Sequence, residues 1–426
     1  MVPRRILTAS GPVDAVLQAP PAKSATHRAL VVAALASGES EIMGPLDADD
    51  TRRTLHGLVR MGIDVDVAPA SWRVQGADGR PRGGASIDLG ASGSTARFLT
   101  ALASLAQQPV TLDGTPRLRE RPMSELLSAL AALGASIDAS PGGRLPIRAG
   151  GRGVVGGEVV VSGARSSQFA SALLMAGCAF DRGLRLSVAP PRVSFSYVDL
   201  TVETLESFGA EVRREDAYTF FVPPQRIRGR RIEVEGDHSS VSYLLAATAI
   251  LGGRIRIDGL RTESRQPDAR FLHDLGSLGC AVESRDGGIV LSATGRIPAF
   301  SWDLTGAPDL APTAAALAFF AEGPSTLTGL SHLAHKESDR MQVIDRELTR
   351  CGAGVRSRDG VMTIVPGCRG DHGEATVNVA DDHRIAMAFA VVGLKRPGVT
   401  IDRPDVVEKS YPRFWDDLAS VVRTGS

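Results

Sequence analysis

One pattern recurs six times along the 426-residue chain. A short polar turn opens an Ala/Leu/Val-rich run that soon meets glycine or serine. Ala22-Lys23-Ser24-Ala25-Thr26-His27-Arg28 leads into Ala29 through Ala36, Ser94-Thr95-Ala96-Arg97 into Phe98 through Ala103, and Ser166-Ser167-Gln168 into Phe169 through Leu174. Ser239-Ser240, Asp309 through Thr313, and Asp382-His383-Arg384 open the other three. Such runs read as helices with a polar start and an abrupt stop. A second helical run follows each, ends in glycine and enters a β-type stretch. Those glycines, Gly62, Gly134, Gly209, Gly279 and Gly352, fall roughly every 70–75 residues. The repeating unit is therefore a whole βαβαββ module. The sixth ends early, after Phe414 through Leu418, and its missing strand is expected from the N-terminal run between Ile6 and Leu17.

Hydrophobic residues are 43% and charged residues 23%, ordinary for a soluble α/β protein long enough for two or three cores. The formal net charge is zero with no basic block, which argues against nucleic acid as a partner. Apolar runs are broken well short of a membrane span, and Arg4-Arg5 precedes no signal-type apolar region. Cys178, Cys280, Cys351 and Cys368 form no CxxC pair, so the expectation is reduced, buried thiols in a cytoplasmic protein.

Lysine is confined to Lys23, Lys336, Lys395 and Lys409 among 48 Lys and Arg residues. Where arginine has taken nearly every cationic position, a retained lysine marks a need for a compact, rotatable ammonium. Lys23, Lys336 and Lys409 stand in polar turns beside other reactive groups; Lys395 reads as surface.

The turns at the helix starts are rich in groups that bind anions. Lys23 and Arg28 come from the first, Gly93 and Arg97 from the second, followed by Pro116-Arg117-Leu118-Arg119-Glu120-Arg121-Pro122. Ser166-Ser167-Gln168 offers hydrogen-bonding groups at a helix start, and Arg340, Arg384 and Lys409 come later. Helix N-termini and planar guanidinium forks suit phosphate and carboxylate, so small, multiply anionic ligands are expected. Two carboxylates, Asp309 and Glu337, stand among these cations. They read equally as an acid/base pair or as an N-cap and a structural partner of Arg340. No GxxxxGK[ST] loop and no strand-linked GxGxxG is present, and His332 with His335 lacks further metal ligands nearby.

In order and spacing, Ala22-Lys23-Ser24…Arg28, Leu89-Gly90…Gly93-Ser94-Thr95-Ala96-Arg97, Pro116-Arg117…Glu120-Arg121-Pro122 and Ser166-Ser167-Gln168-Phe169 form one set with five later pieces. These are Glu235-Gly236-Asp237…Ser239-Ser240, Pro308-Asp309, Lys336-Glu337-Ser338-Asp339-Arg340, Asp382-His383-Arg384 and Lys409-Ser410-Tyr411-Pro412. The set resembles the 5-enolpyruvylshikimate-3-phosphate synthase family along essentially the whole chain. The resemblance implies an α/β (α+β) fold of two globular halves, each of three βαβαββ units in an inverse α/β barrel-like arrangement, with the site in the cleft between them. One half would span 22–237, and the other 1–21 with 238–426. It implies enolpyruvyl transfer from phosphoenolpyruvate to the 5-hydroxyl of shikimate 3-phosphate in the shikimate pathway, by a cytoplasmic monomer needing no metal or organic cofactor.

Carried onto this sequence, the resemblance assigns Lys23, Gly93, Arg117, Gln168, Arg340, Arg384 and Lys409 to phosphoenolpyruvate. It assigns Lys23, Ser24, Arg28, Ser166, Ser167, Gln168, Ser194, Tyr197, Asp309, His332 and Lys336 to shikimate 3-phosphate. Asp309 would take the proton of the 5-hydroxyl, Glu337 would exchange the proton at the methylene carbon, and Lys23 and Lys409 would assist. Pro21-Ala22, His27, Ala91 and His332 depart from the family's usual Gly-Ser, Asn, Asn and Asn, so a relative acting on another cyclitol acid is one alternative. A catalytically silent binding module on the same scaffold is a second. The related transferase acting on a UDP-sugar needs a reactive cysteine in the loop that here reads Arg117 through Pro122, which has none.

Overall fold

The computed structural model describes residues 2–367 and 373–422; Cys368, expected as a buried thiol, lies outside the described residues. The chain forms two compact units, Pro21–Val234, and Met1–Pro20 together with Glu235–Ser426.

In the unit Pro21–Val234, the Ala/Leu-rich runs are the helices Lys23–Leu35, Gly93–Ser104 and Gln168–Gly177. Beyond its polar first turn each is buried on all sides, as a helix must be to occupy a core, and they pack on one another. Outside them lie Asp49–Arg60, Ser124–Ala132 and Ser196–Ser207. Asp49–Arg60 shows the two-faced pattern: Thr51, Leu55 and Leu58 are buried, whereas Arg52, His56 and Arg60 face solvent. Gly62, Gly134 and Gly209 follow the ends of these helices with φ of 87°, 94° and 79°, the left-handed turn that glycine enters without a Cβ penalty.

The strands form small sheets with one spatial plan. Ser86–Asp88 runs parallel to Val110–Asp113, which pairs antiparallel with Arg144–Ala149, which pairs antiparallel with Ile137–Ser140. Gly157–Ser162, Leu184–Ala189, Thr219–Val222 and Arg213–Arg214 repeat the plan. The remaining sheet of this unit, built on Ser37–Met43, takes its parallel edge from Arg231–Glu233, far along the chain.

In the second unit the core helices are His238–Leu251, Ala311–Phe319 and His383–Gly393, with Arg270–Ser277, Arg340–Arg350 and Phe414–Val421 outside. Val13–Gln18, which precedes Lys23 in sequence, pairs parallel with Gly253–Asp258 here. The N-terminal run is thus divided between two sheets, which corrects the expectation that Ile6 through Leu17 completes the sixth module. The completing strand is Arg4–Arg5, antiparallel to Val399–Ile401. Ile6 continues it, donating its N–H to Val399 and lodging against Gly393, where a Cβ would fall 2.7 Å from the Ile6 Cβ. Among the described residues the six sheets are separate and open; none closes into a barrel.

Burial pushes the Cys178 thiol up to about 12 and the Cys351 thiol up to about 11, leaving both unreactive. Cys280 is only half-buried. Lys395 is exposed, as expected, and donates to the Ile250 carbonyl near the end of His238–Leu251. No helix among the described residues is long and apolar enough to cross a membrane.

Candidate active site

In the unit Pro21–Val234 the expected residues sit at the starts of the three core helices. Lys23 opens the first, and its ammonium lies 3.0 Å from Asp50 Oδ2. Ser24 is half-buried on the same turn, and its carbonyl accepts from Arg28 Nη1 at 3.0 Å. The Arg28 guanidinium is buried, donating also to Thr201 Oγ1, the Tyr197 carbonyl and Ser171 Oγ. It lies over the rings of Phe98 and Tyr197 at 5.3 and 5.7 Å. Burial lowers its pKa to about 10, so it stays charged at neutral pH.

Gly93 opens the second core helix, capped by Ser92, which accepts from the Thr95 N–H. A Cβ at Gly93 would fall 2.5 Å from Arg121 Nη1. The buried Arg121 guanidinium therefore closes over this glycine. Arg117, the arginine expected at the site, has a side chain 41% exposed and pairs with Glu120 at 2.9 Å. Arg121 is thus the better-placed cation, a residue within the quoted motif to which sequence reasoning gave no role. Nothing in the sequence separates the two arginines; only the packing does.

Gln168 opens the third core helix, and its Nε2 donates to Ser94 Oγ at 3.0 Å, joining the second and third turns. Ser166 Oγ accepts the Gln168 N–H, and Ser167 is buried beside it. Ser194 is buried with φ of 56°, a left-handed conformation that a serine holds only under surrounding constraint, and its carbonyl accepts the Tyr197 N–H.

In the second unit Asp309 lies in the single turn Pro308–Leu310. Its Oδ1 accepts from Arg340 Nη1 at 2.8 Å and Lys336 Nζ at 3.3 Å, and its Oδ2 lies 3.1 Å from Arg384 Nη2. Arg340 is 1% exposed and also donates to Asp382 Oδ2 at 2.8 Å and Glu337 Oε2 at 2.7 Å. Lys409 approaches Glu337 Oε1 at 4.0 Å. Asp382 accepts in addition from Ser338 Oγ and from the Arg384 N–H, so it caps His383–Gly393 while anchoring Arg340. Asp382 has no role among those the resemblance assigns; its mark in the sequence is an Asp immediately before a helix.

Electrostatics follow this packing. Burial alone would raise the Asp309 pKa, but Arg384, Lys336 and Arg340 outweigh it and hold the carboxyl well below its usual range. Burial opposes the Arg340 charge, yet Asp382, Glu337 and Asp309 hold that guanidinium above its usual range. Burial and then Lys336 press the buried His332 down to about 3, a neutral imidazole at neutral pH. A further buried carboxyl, Asp268, accepts from Ser239 Oγ. Burial, reinforced by the Asp309 charge, pushes it up to about 7.

Asp309, His332, Lys336, Glu337, Arg340, Arg384 and Lys409 thus lie within one unit, with all but His332 joined by ion pairs. Lys23, Ser24, Arg28, Gly93, Ser166, Ser167, Gln168, Ser194 and Tyr197 lie within the other. Residues 7–418 match the family model described as EPSP synthase (3-phosphoshikimate 1-carboxyvinyltransferase). The chain belongs to the EPSP synthase family. A 3-phosphoshikimate 1-carboxyvinyltransferase of Methanoculleus marisnigri is 43% identical over 413 residues, 96% of this chain and 97% of that one. One of Syntrophobacter fumaroxidans is 42% identical over 407 residues, 95% and 96% of the two chains. The solved EPSP synthase of Acinetobacter baumannii superposes with a TM-score of 0.81 over 99% of each chain at 24% identity, which establishes the shared fold.

Proposed function

We propose that this EPSP synthase family member transfers the enolpyruvyl group of phosphoenolpyruvate to the 5-hydroxyl of shikimate 3-phosphate in the shikimate pathway. The observation that carries the reading is the cluster around Arg340, in which two carboxylates suited to proton transfer are held by cations suited to a departing phosphate. In the addition step the 5-oxygen bonds to C2 of phosphoenolpyruvate while the methylene carbon gains a proton. In the elimination step that carbon loses a proton and the bond to phosphate breaks. Asp309 receives the hydroxyl proton, and Glu337 gives and retakes the proton at carbon. An anionic substrate that takes a share of the Arg340 and Arg384 charge weakens their hold on Asp309 and raises its basicity when it is needed.

Arg340, Arg384, Lys409 and Lys23 surround the phosphoenolpyruvate charge, with Gly93, Gln168 and Arg121 or Arg117 beside it. Fixed cations stabilise charge moving toward the leaving phosphate without reorganising. Ser24 and Arg28 take the shikimate carboxylate, Ser166, Ser167 and Ser194 the 3-phosphate, and Gln168, Tyr197, Lys336 and His332 the ring and its hydroxyls. The reading requires both sets of residues to serve one pair of substrates, and it has the enzyme acting as a cytoplasmic monomer. Phosphate release by the purified chain tests it: release is expected only when both substrates are present, and its absence with shikimate 3-phosphate would reject the acceptor.

A further inference from the structure

We propose that His27, Thr54, Thr95 and Asp50 form a positioning network that aims Lys23 at the Gly93 turn, with His27 protonated on Nδ1. The inference rests on the reading of Lys23 and Gly93 as phosphoenolpyruvate-binding groups. Its geometry lies wholly within Pro21–Val234.

Two rungs join the helices Lys23–Leu35 and Asp49–Arg60. Lys23 Nζ reaches Asp50 Oδ2 at 3.0 Å, and His27 Nδ1 lies 2.8 Å from Thr54 Oγ1. Lys23 and His27 are four apart on one helix, and Asp50 and Thr54 are four apart on the other. The rungs are therefore stacked one turn above another on facing sides. A single rung permits a slide or a twist; two a turn apart fix the register and so the direction in which the lysine leaves its helix.

The upper rung continues. Thr54 Oγ1 lies 2.8 Å from Thr95 Oγ1, which lies 2.7 Å from Ser92 Oγ and 3.2 Å from the Asp50 carbonyl. Thr95 and Ser92 stand at the start of the helix that Gly93 opens. The chain of hydroxyls thus ties three helices together and returns to the residue whose carboxylate holds Lys23. His27, Thr54, Thr95 and Ser92 are all 0% exposed, so no bulk water competes for these groups.

Proton counting gives the chain a direction. A carbonyl can only accept, so the one proton of Thr95 points to Asp50. Thr54 then donates to Thr95, which leaves Thr54 able only to accept from the imidazole. The sequence of donors runs His27 Nδ1–H to Thr54, Thr54 to Thr95, and Thr95 to the Asp50 carbonyl. A neutral histidine in water favours the other tautomer, so the network leaves a signature independent of catalysis.

The test compares the full chain with Thr54→Val and Thr54→Ser variants. Imidazole 15N shifts, assigned with His27→Gln, are expected to show Nδ1–H in the parent and in Thr54→Ser, and to lose that signature in Thr54→Val. With activity as readout, Thr54→Val should raise KM for phosphoenolpyruvate about tenfold, with a smaller change for shikimate 3-phosphate, and Thr54→Ser should restore it. An Nε2–H tautomer in the parent overturns the network. So does a folded Thr54→Val protein with unchanged KM, or one in which both KM values rise equally. Should the parent release no phosphate at all, the enolpyruvyl-transfer reading fails, and the tautomer alone decides the network.

Discussion

Arg340 Nη1 donates to Asp309 Oδ1 at 2.8 Å from a guanidinium shut away from solvent, so the candidate base is held as an anion by a cation that cannot leave its place. A carboxyl whose folded pKa is depressed contributes stability above its unfolded value, near 3.9, and loses it as pH falls through the lower folded value. In an Asp268→Asn background, which removes the neighbouring titration, adding Asp309→Asn should therefore give a stability difference that stays level from about pH 7 to about pH 5 and closes only in stronger acid. Chemical denaturation across that range measures it. Asp309→Asn by itself should lose about 100-fold or more in kcat.

Glu337 shares Arg340 with Asp309 and Asp382, so the guanidinium keeps two carboxylate partners when Glu337 is neutralised. Glu337→Gln should bind both substrates within a few-fold of the parent by calorimetry while kcat falls about 10²–10⁴-fold. Loss of binding would make Glu337 a structural partner of Arg340 and no more.

A methyl group at Gly93 would press on Arg121, 2.5 Å away. The atoms it meets are the tip of a flexible side chain, so Gly93→Ala should displace the Arg121 guanidinium with little loss of stability. It should also raise KM for phosphoenolpyruvate, and Arg121→Lys should raise it more than Arg117→Lys does. Equal effects of the two arginine variants would return Arg117 to the site.

Asp268 gives the molecule a pH response of opposite sign. Its folded pKa, about 7, lies above the unfolded value, so the protonated form is favoured by folding and that stabilisation fades as pH rises through about 7. Asp268→Asn should reduce the fall in melting temperature between pH 5 and pH 7, measured by calorimetry; an unchanged slope would place the response elsewhere.

The repeat was legible because its parts are local. Apolar runs that must be buried on all sides announce the core helices, and Gly62, Gly134, Gly209, Gly279 and Gly352 end the outer ones in left-handed turns, each with positive φ. Which strand joins which sheet was less legible. Val13–Gln18 and Arg231–Glu233 carry no mark that they pair with partners hundreds of residues away or back at Ser37–Met43. At the site, charged residues in turns were visible, but their pairing was not: Arg117 and Arg121 are alike in sequence and differ only in burial. Asp50, Asp268 and Asp382 act through other side chains, and that relation exists only once the helices have packed.

The central claim is most directly met by following the purified chain with phosphoenolpyruvate and shikimate 3-phosphate by 31P and 1H NMR. The expected result is loss of phosphoenolpyruvate matched one for one by inorganic phosphate and by a new carboxyvinyl ether that retains the 3-phosphate, with neither change when one substrate is omitted. Unaltered spectra, or phosphate appearing without the ether, would contradict it.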